Sequence, residues 1–119
     1  VFREDQSEAL YLNIKQELKN LNVVRATSPF DHRTLWIEVF SNQAAKHLTA
    51  EHLAEELNID PAHTVAVGND YNDIELLGWA KRSFAVKNAI SELKERYEVV
   101  ASADENGFAD AMERLFQQI

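Results

Sequence analysis

The sequence predicts an α/β fold in which a small unit with an antiparallel hairpin precedes a parallel sheet. First, residues 34–40 alternate, with Leu35, Ile37 and Val39 on one side, which indicates a half-buried strand. Second, the patterns after residue 46 run helix, strand, helix, strand to the last helix, which is typical of a parallel sheet with helices on both faces. Third, 119 residues with 45% hydrophobic side chains are enough for one core.

The first unit combines a helix, a strand, a turn and a second strand. Residues 7–21 predict a helix with Ser7 as its N-cap, and its apolar residues recur at helical spacing: Leu10, Ile14, Leu18 and Leu21. Residues 22–28 are a β-rich run, and a turn with Pro29 leads into the strand at 34–40. We place the boundary of this unit at about residues 40–44.

The second unit alternates helices with short strands. Its predicted elements are helices at 46–58, after residue 70, at 91–97 and at 107–118, and strands at 64–67, 83–86 and 99–100. The strand at 64–67 is continuously apolar, which predicts burial on both faces. Inward-facing residues are predicted on the first helix (Ala50, Leu53, Ala54, Leu57) and on the last, which Asn106 caps (Phe108, Ala111, Met112, Leu115, Phe116, Ile119).

Composition excludes several classes of function. The chain has no cysteine, which excludes disulfides, thiolate zinc sites and cysteine nucleophiles and fits a cytoplasmic protein. Its net charge of −8 opposes binding to nucleic acid and to anionic membranes, because both need clustered cations. No stretch approaches the roughly 18 apolar residues of a membrane span. We therefore expect no nucleic acid or membrane partner, whereas a small anionic substrate requires local cations.

Polar and acidic residues follow the buried strand at 64–67. Asn69, Asp70 and Asp73 stand just past its carboxyl end, where ligands bind in open α/β sheets. They are hard oxygen donors, which suit magnesium better than zinc. Gly68 allows the backbone to turn sharply and to approach a ligand closely. The alternative is that Asn69 or Asp70 merely caps the following helix.

Two further residues are candidates for anion binding. Lys46 stands near the start of a helix, where a cation opposes the macrodipole unless an anion lies beside it. Asn88 follows the next strand at the same edge of the sheet, where its amide can donate to a bound anion. The alternatives are a solvated surface lysine and a turn-forming or helix-capping asparagine.

These pieces, in this order, resemble the haloacid dehalogenase superfamily, in its capped Cof-type and sucrose-phosphatase-like branch. The resemblance rests on Lys46, on the Gly-Asn-Asp-Tyr-Asn-Asp run at 68–73 and on the pair Asn88-Ala89. The strand that contains Glu38 is similar to the last strand of the family's α/β cap, and residues 105–109 are similar to a turn near its end. The resemblance implies that 1–40 is the C-terminal part of the cap and 41–119 the C-terminal half of a Rossmann-like hydrolase core.

The resemblance also implies a function and a role for each residue. The family hydrolyses phosphate monoesters with Mg²⁺ through an aspartyl-phosphate, which implies a small phosphorylated metabolite as substrate, with a sugar phosphate as one candidate. Lys46 is then the catalytic lysine that neutralises the nucleophile and the phosphate, and Asp73 a catalytic acid that orients the metal's ligands. Asn72 and Asn88 line the phosphate pocket. The metal residues are Asn69, Asp70 and Asp73. The family usually has aspartate at position 69, so the choice between Asn69 and Asp70 as ligand stays open.

The catalytic nucleophile is missing from this sequence. The family's nucleophile lies in an Asp-x-Asp motif upstream of the cap, and no Asp-x-Asp occurs in the 119 residues. We therefore expect the chain to begin partway through the cap, to be inactive alone and to self-associate through its bare sheet edge. The alternative is a non-catalytic binding or assembly domain derived from the same fold. An Asp-x-Asp motif encoded upstream supports the enzyme, and a start codon at Val1 supports the binding domain.

Overall fold

A helix and a β-hairpin form the first part of the chain in a computed structural model, which describes residues 4–31 and 33–117. Helix α1 spans Glu4–Glu17, and strands β1 (Leu21–Thr27) and β2 (Leu35–Ser41) pair antiparallel, with Val24 opposite Glu38. The hairpin is therefore as predicted. The N-cap prediction for Ser7 is wrong, because α1 already includes Glu4 and Ser7 lies within the helix. The predicted helical end at Leu21 is wrong too, since that residue begins β1.

The second part alternates helices with the strands of a parallel sheet. Its elements are α2 (Lys46–Glu56), β3 (Val65–Gly68), α3 (Ile74–Trp79), β4 (Arg82–Val86), α4 (Ser91–Arg96), β5 (Glu98–Val100) and α5 (Gly107–Gln117). The strand order is β3-β4-β5, and both pairs are parallel, so the predicted α/β class is confirmed. Gln118 and Ile119, predicted at the end of the last helix, lie outside the described residues. No helix in 4–31 and 33–117 is long and apolar enough to cross a membrane.

The apolar core lies between the parallel sheet and its helices. Phe84 and Ala85 of β4 and Leu93 of α4 are fully buried, and Leu77 of α3 is 1% exposed. Ala111 of α5 completes this packing from the last helix. Burying a side chain of this size stabilises a fold by about 1.5–3 kcal/mol relative to its exposed state. Most of the apolar burial among the described residues therefore belongs to the second part.

Several residues that were predicted to be buried are half-buried or exposed. Val65 and Val67 are only half-buried, because β3 is the terminal strand of the sheet and pairs with β4 alone in the described part of the chain. Helix α2 packs on α3 and buries only Ala54, which leaves Leu53 and Leu57 more than half exposed. Helix α5 is anchored by Gly107 and Ala111, and its two phenylalanines, Phe108 and Phe116, are also exposed.

Candidate active site

The loop after β3 is packed so tightly that only glycine fits at its start. A Cβ atom on Gly68 would lie 2.4 Å from Leu77 Cδ1 and 2.7 Å from Asp73 Cβ. The constraint is this contact and not the backbone angle, since no glycine in the described residues has positive φ. The sequence motif therefore holds the loop against α3, with residues 69–73 at the carboxyl end of the strand.

Asp73 joins the loop to the start of α2. Its Oδ2 accepts the Asn69 N–H at 2.9 Å and the Asp70 N–H at 3.3 Å, and its Oδ1 accepts from Lys46 Nζ at 2.5 Å. Asp73 is buried, whereas the Lys46 side chain is 51% exposed. Because α2 carries no acidic residue in its first turn, Asp73 supplies the negative charge that holds this cation there. The ammonium group is thus fixed on one side and open on the other.

Asp70 points towards the hairpin. Its Oδ2 accepts the Thr27 N–H at 2.6 Å, and its Oδ1 accepts the Tyr71 N–H at 2.7 Å and the Thr27 hydroxyl at 3.2 Å. Asp70 is 7% exposed and caps a 3₁₀ turn, Tyr71–Asp73, in a reciprocal capping box with Asp73. Capping, the alternative function for this loop, is therefore one role of Asp70. Its contact with Thr27 is a second role that the sequence did not reveal.

The candidate asparagines lie at the same edge of the sheet. Asn69 is exposed, and its side chain makes no hydrogen bond within the described residues. Its carbonyl accepts the Ile90 N–H at 3.0 Å, which links the loops after β3 and β4. Asn88 is exposed, and its Oδ1 accepts the Ala103 N–H at 3.0 Å, which links the loops after β4 and β5. The ends of the three parallel strands are therefore connected at one edge.

A cleft of about 710 Å³ separates the hairpin from the helices of the second part. Lys46 and Asn72 line it from the loop side, and Glu38 lines it from β2. Its apolar wall comes from both parts of the chain, namely from Val23, Val24, Phe40, Leu53, Ile74 and Leu76. Concave, mostly apolar clefts with a few convergent polar groups are typical of small-molecule sites. Lys46 brings the positive charge that an acidic chain must concentrate locally to hold an anion.

The oxygen donors at this edge of the sheet fit part of the ligand set of a magnesium ion. In the part of the chain that the structure describes, no three His, Cys, Asp or Glu side chains come together to hold a metal ion. The carboxylate oxygens of Asp70 and Asp73 accept the hydrogen bonds described above, and Asn69 offers a free amide oxygen. Magnesium prefers hard oxygen ligands and keeps several waters, so a single protein oxygen backed by a carboxylate suits it. The remaining ligands would have to come from outside these residues.

Comparison with known proteins identifies the family. Residues 1–112 match the family model of the haloacid dehalogenase-like hydrolases. The chain belongs to this family. The resemblance predicted from Lys46, residues 68–73 and Asn88-Ala89 is thereby confirmed at the level of the family and its fold.

Relatives of this haloacid dehalogenase-like chain include named phosphatases. The chain is 33% identical over 102 residues to the 5-amino-6-(5-phospho-D-ribitylamino)uracil phosphatase YwtE of Bacillus subtilis, a match that covers 85% of this chain and 35% of the relative. A solved haloacid dehalogenase-like hydrolase from B. subtilis is 30% identical with a TM-score of 0.79, over 97% of this chain and 38% of that one. A HAD/COF-like hydrolase from Plasmodium vivax is 28% identical with a TM-score of 0.74, and this match covers 100% of this chain and 41% of that one. The chain thus spans little more than a third of the length of these relatives.

Proposed function

We propose that the protein containing this chain is a magnesium-dependent phosphomonoester hydrolase that acts on a small phosphorylated metabolite. The observation that carries the proposal is the Lys46–Asp73 pair, 2.5 Å apart, beside the exposed Asn69 and at the edge of the cleft. The name of the 33%-identical relative, a phosphatase of a phosphorylated ribityl compound, supports a substrate with a sugar-like phosphate ester. A cleft with an apolar wall also admits an apolar group on the leaving alcohol.

In this proposal Lys46 and Asp73 are the catalytic residues of the chain. The ammonium of Lys46 neutralises the phosphate, because lysine is a compact point charge and its open side faces the cleft. Asp73 holds that ammonium and the backbone of residues 69–73, which we call the metal loop, in place. Asn72, which lines the cleft, and Asn88, at the same edge, are assigned to the phosphate pocket.

We assign the metal contact to Asn69 and its support to Asp73. Bound Mg²⁺ would neutralise charge on the phosphate oxygens. The amide oxygen of Asn69 is exposed, whereas both oxygens of Asp70 face Thr27 and Tyr71. This favours Asn69 over Asp70, although the uncharged amide should bind the cation more weakly than a carboxylate does. Asp73 supports this contact indirectly, because its carboxylate accepts the Asn69 N–H and so holds the backbone of Asn69 in place.

The nucleophile of the proposed reaction lies outside this sequence, which contains no Asp-x-Asp. In the reaction, an aspartate oxygen bonds to phosphorus as the ester oxygen leaves and takes up a proton. Water then hydrolyses the acyl phosphate, which releases phosphate and restores the carboxylate. A chain without that aspartate should have no turnover of its own. The division into a cap at 1–40 and a core at 41–119, and a cytoplasmic location, remain parts of this proposal.

Self-association of the isolated chain also remains part of this proposal. The open side of β3 supports it, because an unpaired strand edge readily pairs with another chain. The exposed Leu53 and Leu57 of α2 support it as well. Sedimentation at micromolar concentration tests this, and a clean monomer of 13.6 kDa would contradict it.

Phosphatase activity of the full-length protein tests the proposal. With p-nitrophenyl phosphate and Mg²⁺, we expect turnover that chelation of the metal abolishes. Lys46→Ala should lower kcat by about three orders of magnitude, since a cation aimed at the developing charge is lost. Lys81→Ala, which removes an exposed lysine between α3 and β4, should leave kcat unchanged. Undiminished activity of Lys46→Ala would contradict the assigned roles, and absence of turnover in the full-length protein would favour the binding-domain alternative.

A further inference from the structure

Two adjacent residues of the metal loop, Asp70 and Tyr71, contact the hairpin, whereas Asn69 is exposed. Tyr71 also lines the cleft. Asp70 contacts Thr27, which is 43 residues away at the end of β1. The ring of Tyr71 lies 4.0 Å from the guanidinium carbon of Arg25, also on β1. We call these four residues, Arg25, Thr27, Asp70 and Tyr71, the clasp.

The Asp70–Thr27 contact is a directional, charge-assisted bond. The carboxylate takes both the backbone N–H and the hydroxyl of Thr27, so it fixes the end of β1 in position and orientation. Asp70 is 7% exposed, and hydrogen bonds to an ionised acceptor in such surroundings are stronger than neutral ones. Removing the charge leaves two donors of Thr27 with a poorer acceptor.

The Arg25 contact extends the clasp to helix α1. The guanidinium carbon lies 4.8 Å from the ring centre of Tyr11 and 4.0 Å from that of Tyr71, and the same group pairs with Glu8. Its side chain is only 19% exposed. Cations held over two aromatic faces in a partly desolvated place are attracted to both. Arg25 thus connects α1, β1 and the metal loop through one planar group.

We propose that Asp70 and Tyr71 are positioning residues, which hold the hairpin wall of the cleft at a set distance from Asn69 and the Lys46–Asp73 pair. The hairpin buries few apolar residues of its own, so its placement depends on these directional contacts. Because Asp70 and Asn69 are consecutive, the contact with Thr27 ties the hairpin to the backbone that carries the proposed metal contact. The catalytic consequence rests on the proposed phosphatase function, but the clasp itself does not.

Distance measurements between two labels test the clasp without an activity assay. The chain has no cysteine, so Arg33→Cys in the hairpin turn and Glu95→Cys on α4 give one specific pair of spin labels, once the labelled chain is diluted with unlabelled chain to remove distances between associated copies. We expect a narrow distance distribution that broadens in Asp70→Asn and in Tyr71→Leu. Tyr71→Phe is the matched control, since it keeps the ring, and its distribution should stay narrow. Unchanged distributions in both Asp70→Asn and Tyr71→Leu would overturn the proposal.

A weaker variant keeps the test decisive if Asp70→Asn does not fold. Thr27→Val removes the hydroxyl donor but keeps the backbone N–H, so it should broaden the distribution less than Tyr71→Leu does. Where Asp70→Asn does fold, Thr27→Val and Asp70→Asn should not be additive in a double-mutant cycle, because they remove the same contact. Additive effects on the free energy of unfolding would contradict a direct coupling of the two residues.

Kinetics of the full-length protein test the consequence for catalysis. Asp70→Asn should raise KM about tenfold and change kcat less than about threefold, because the cleft wall is displaced while Lys46 and Asp73 remain. Asp60→Asn is the matched control, since Asp60 also caps a 3₁₀ turn, Pro61–His63, by accepting the Ala62 N–H, and it should leave both constants unchanged. A fall in kcat with an unchanged KM would overturn the positioning role. If the full-length protein has no phosphatase activity, the proposed function fails, and the label distances still decide whether the clasp exists.

Discussion

The β1–β2 hairpin and the β3–β4–β5 sheet differ in what surrounds their side chains. In the sheet, Phe84 and Ala85 are fully buried, and the helices cover them with further apolar residues. In the hairpin unit, the residues described as buried are Val23, Ala26 and Ser28. The hairpin is tied to the rest of the chain by hydrogen bonds of Asp70 and by the stacked Arg25.

The candidate site depends on both kinds of contact. Apolar burial is non-directional, so it stabilises the sheet without setting the position of any one polar group. Hydrogen bonds to a carboxylate are directional, so they set the position of the hairpin at little gain in total stability. The loop after β3 takes part in both the apolar packing and the directional hydrogen bonds, because Gly68 packs on α3 and Asp70 accepts hydrogen bonds from Thr27. The site thus lies where the apolar core meets the polar contacts to the hairpin.

The largest expected effect comes from a pair of phenylalanines, one in each region. Phe84→Ala should destabilise the chain by about 3–5 kcal/mol, because it leaves a cavity in the core of the sheet. Phe30→Ala, in the hairpin turn, should change stability by less than about 1 kcal/mol, since Phe30 is 87% exposed and its ring lies beside that of Trp36. Urea unfolding followed by circular dichroism measures both. Equal losses would mean that the hairpin has a core of its own.

A smaller effect is expected from a pair of glycines around α3. Gly68→Ala should cost about 1–3 kcal/mol, because the new methyl group collides with Leu77 and Asp73. Gly78→Ala has its nearest neighbour, the Tyr97 hydroxyl, at 3.9 Å and should stabilise the helix by about 0.5–1 kcal/mol. Thermal unfolding measures both. A neutral Gly68→Ala would show that the loop can shift, and that the position of Asp73 is not set by this contact.

The smallest effect concerns a carboxylate in each region and depends on pH. Arg114 and the Ala101 N–H hold the pKa of Asp110 below its usual value, and the hydroxyl and N–H of Thr34 lower the pKa of Asp31. Since both pKa values are lowered in the fold, both groups stabilise it fully above their unfolded pKa of 3.8 and lose this contribution as pH falls through the folded value.

Replacing the two carboxylates should weaken different parts of the structure. Asp110→Asn should weaken the attachment of α5 to β5 at pH 7 and abolish part of the loss of global stability on acidification. Asp31→Asn should change only the amide exchange of the hairpin turn, because Asp31 bonds within residues 31–34. Hydrogen exchange measured from pH 7 down to about pH 2 separates the two, because both contributions are lost only below the unfolded pKa of 3.8. A global loss in Asp31→Asn would contradict the weak connection of the hairpin turn to the core.

Much of the fold was predictable from the sequence, and so was part of the candidate site. Alternation at 34–40 indicated β2, and the order of patterns after residue 46 indicated the parallel sheet, because periodicity follows directly from which side of an element is buried. The motif at 68–73 and Lys46 indicated a polar edge, since parallel strands bring their carboxyl ends together. The exposure of Leu53 was not predictable from α2 alone. Apolar spacing tells which face of a helix is apolar, but not how wide the surface is that covers it.

The direction of Asp70 was decided only by the tertiary structure. Asn69 and Asp70 are neighbours with similar side chains, and nothing in the local pattern tells which of them is exposed and which is buried against the hairpin. The choice depends on Thr27 and Arg25, which belong to another sheet and are separated from the loop by more than 40 residues. Neither residue stands in a motif, so no sequence signal marked them. Local patterns determine which elements form, because those patterns act over a few residues. The partner of a directional polar group is set by how the elements pack, because a hydrogen bond depends on distances that only the folded chain defines.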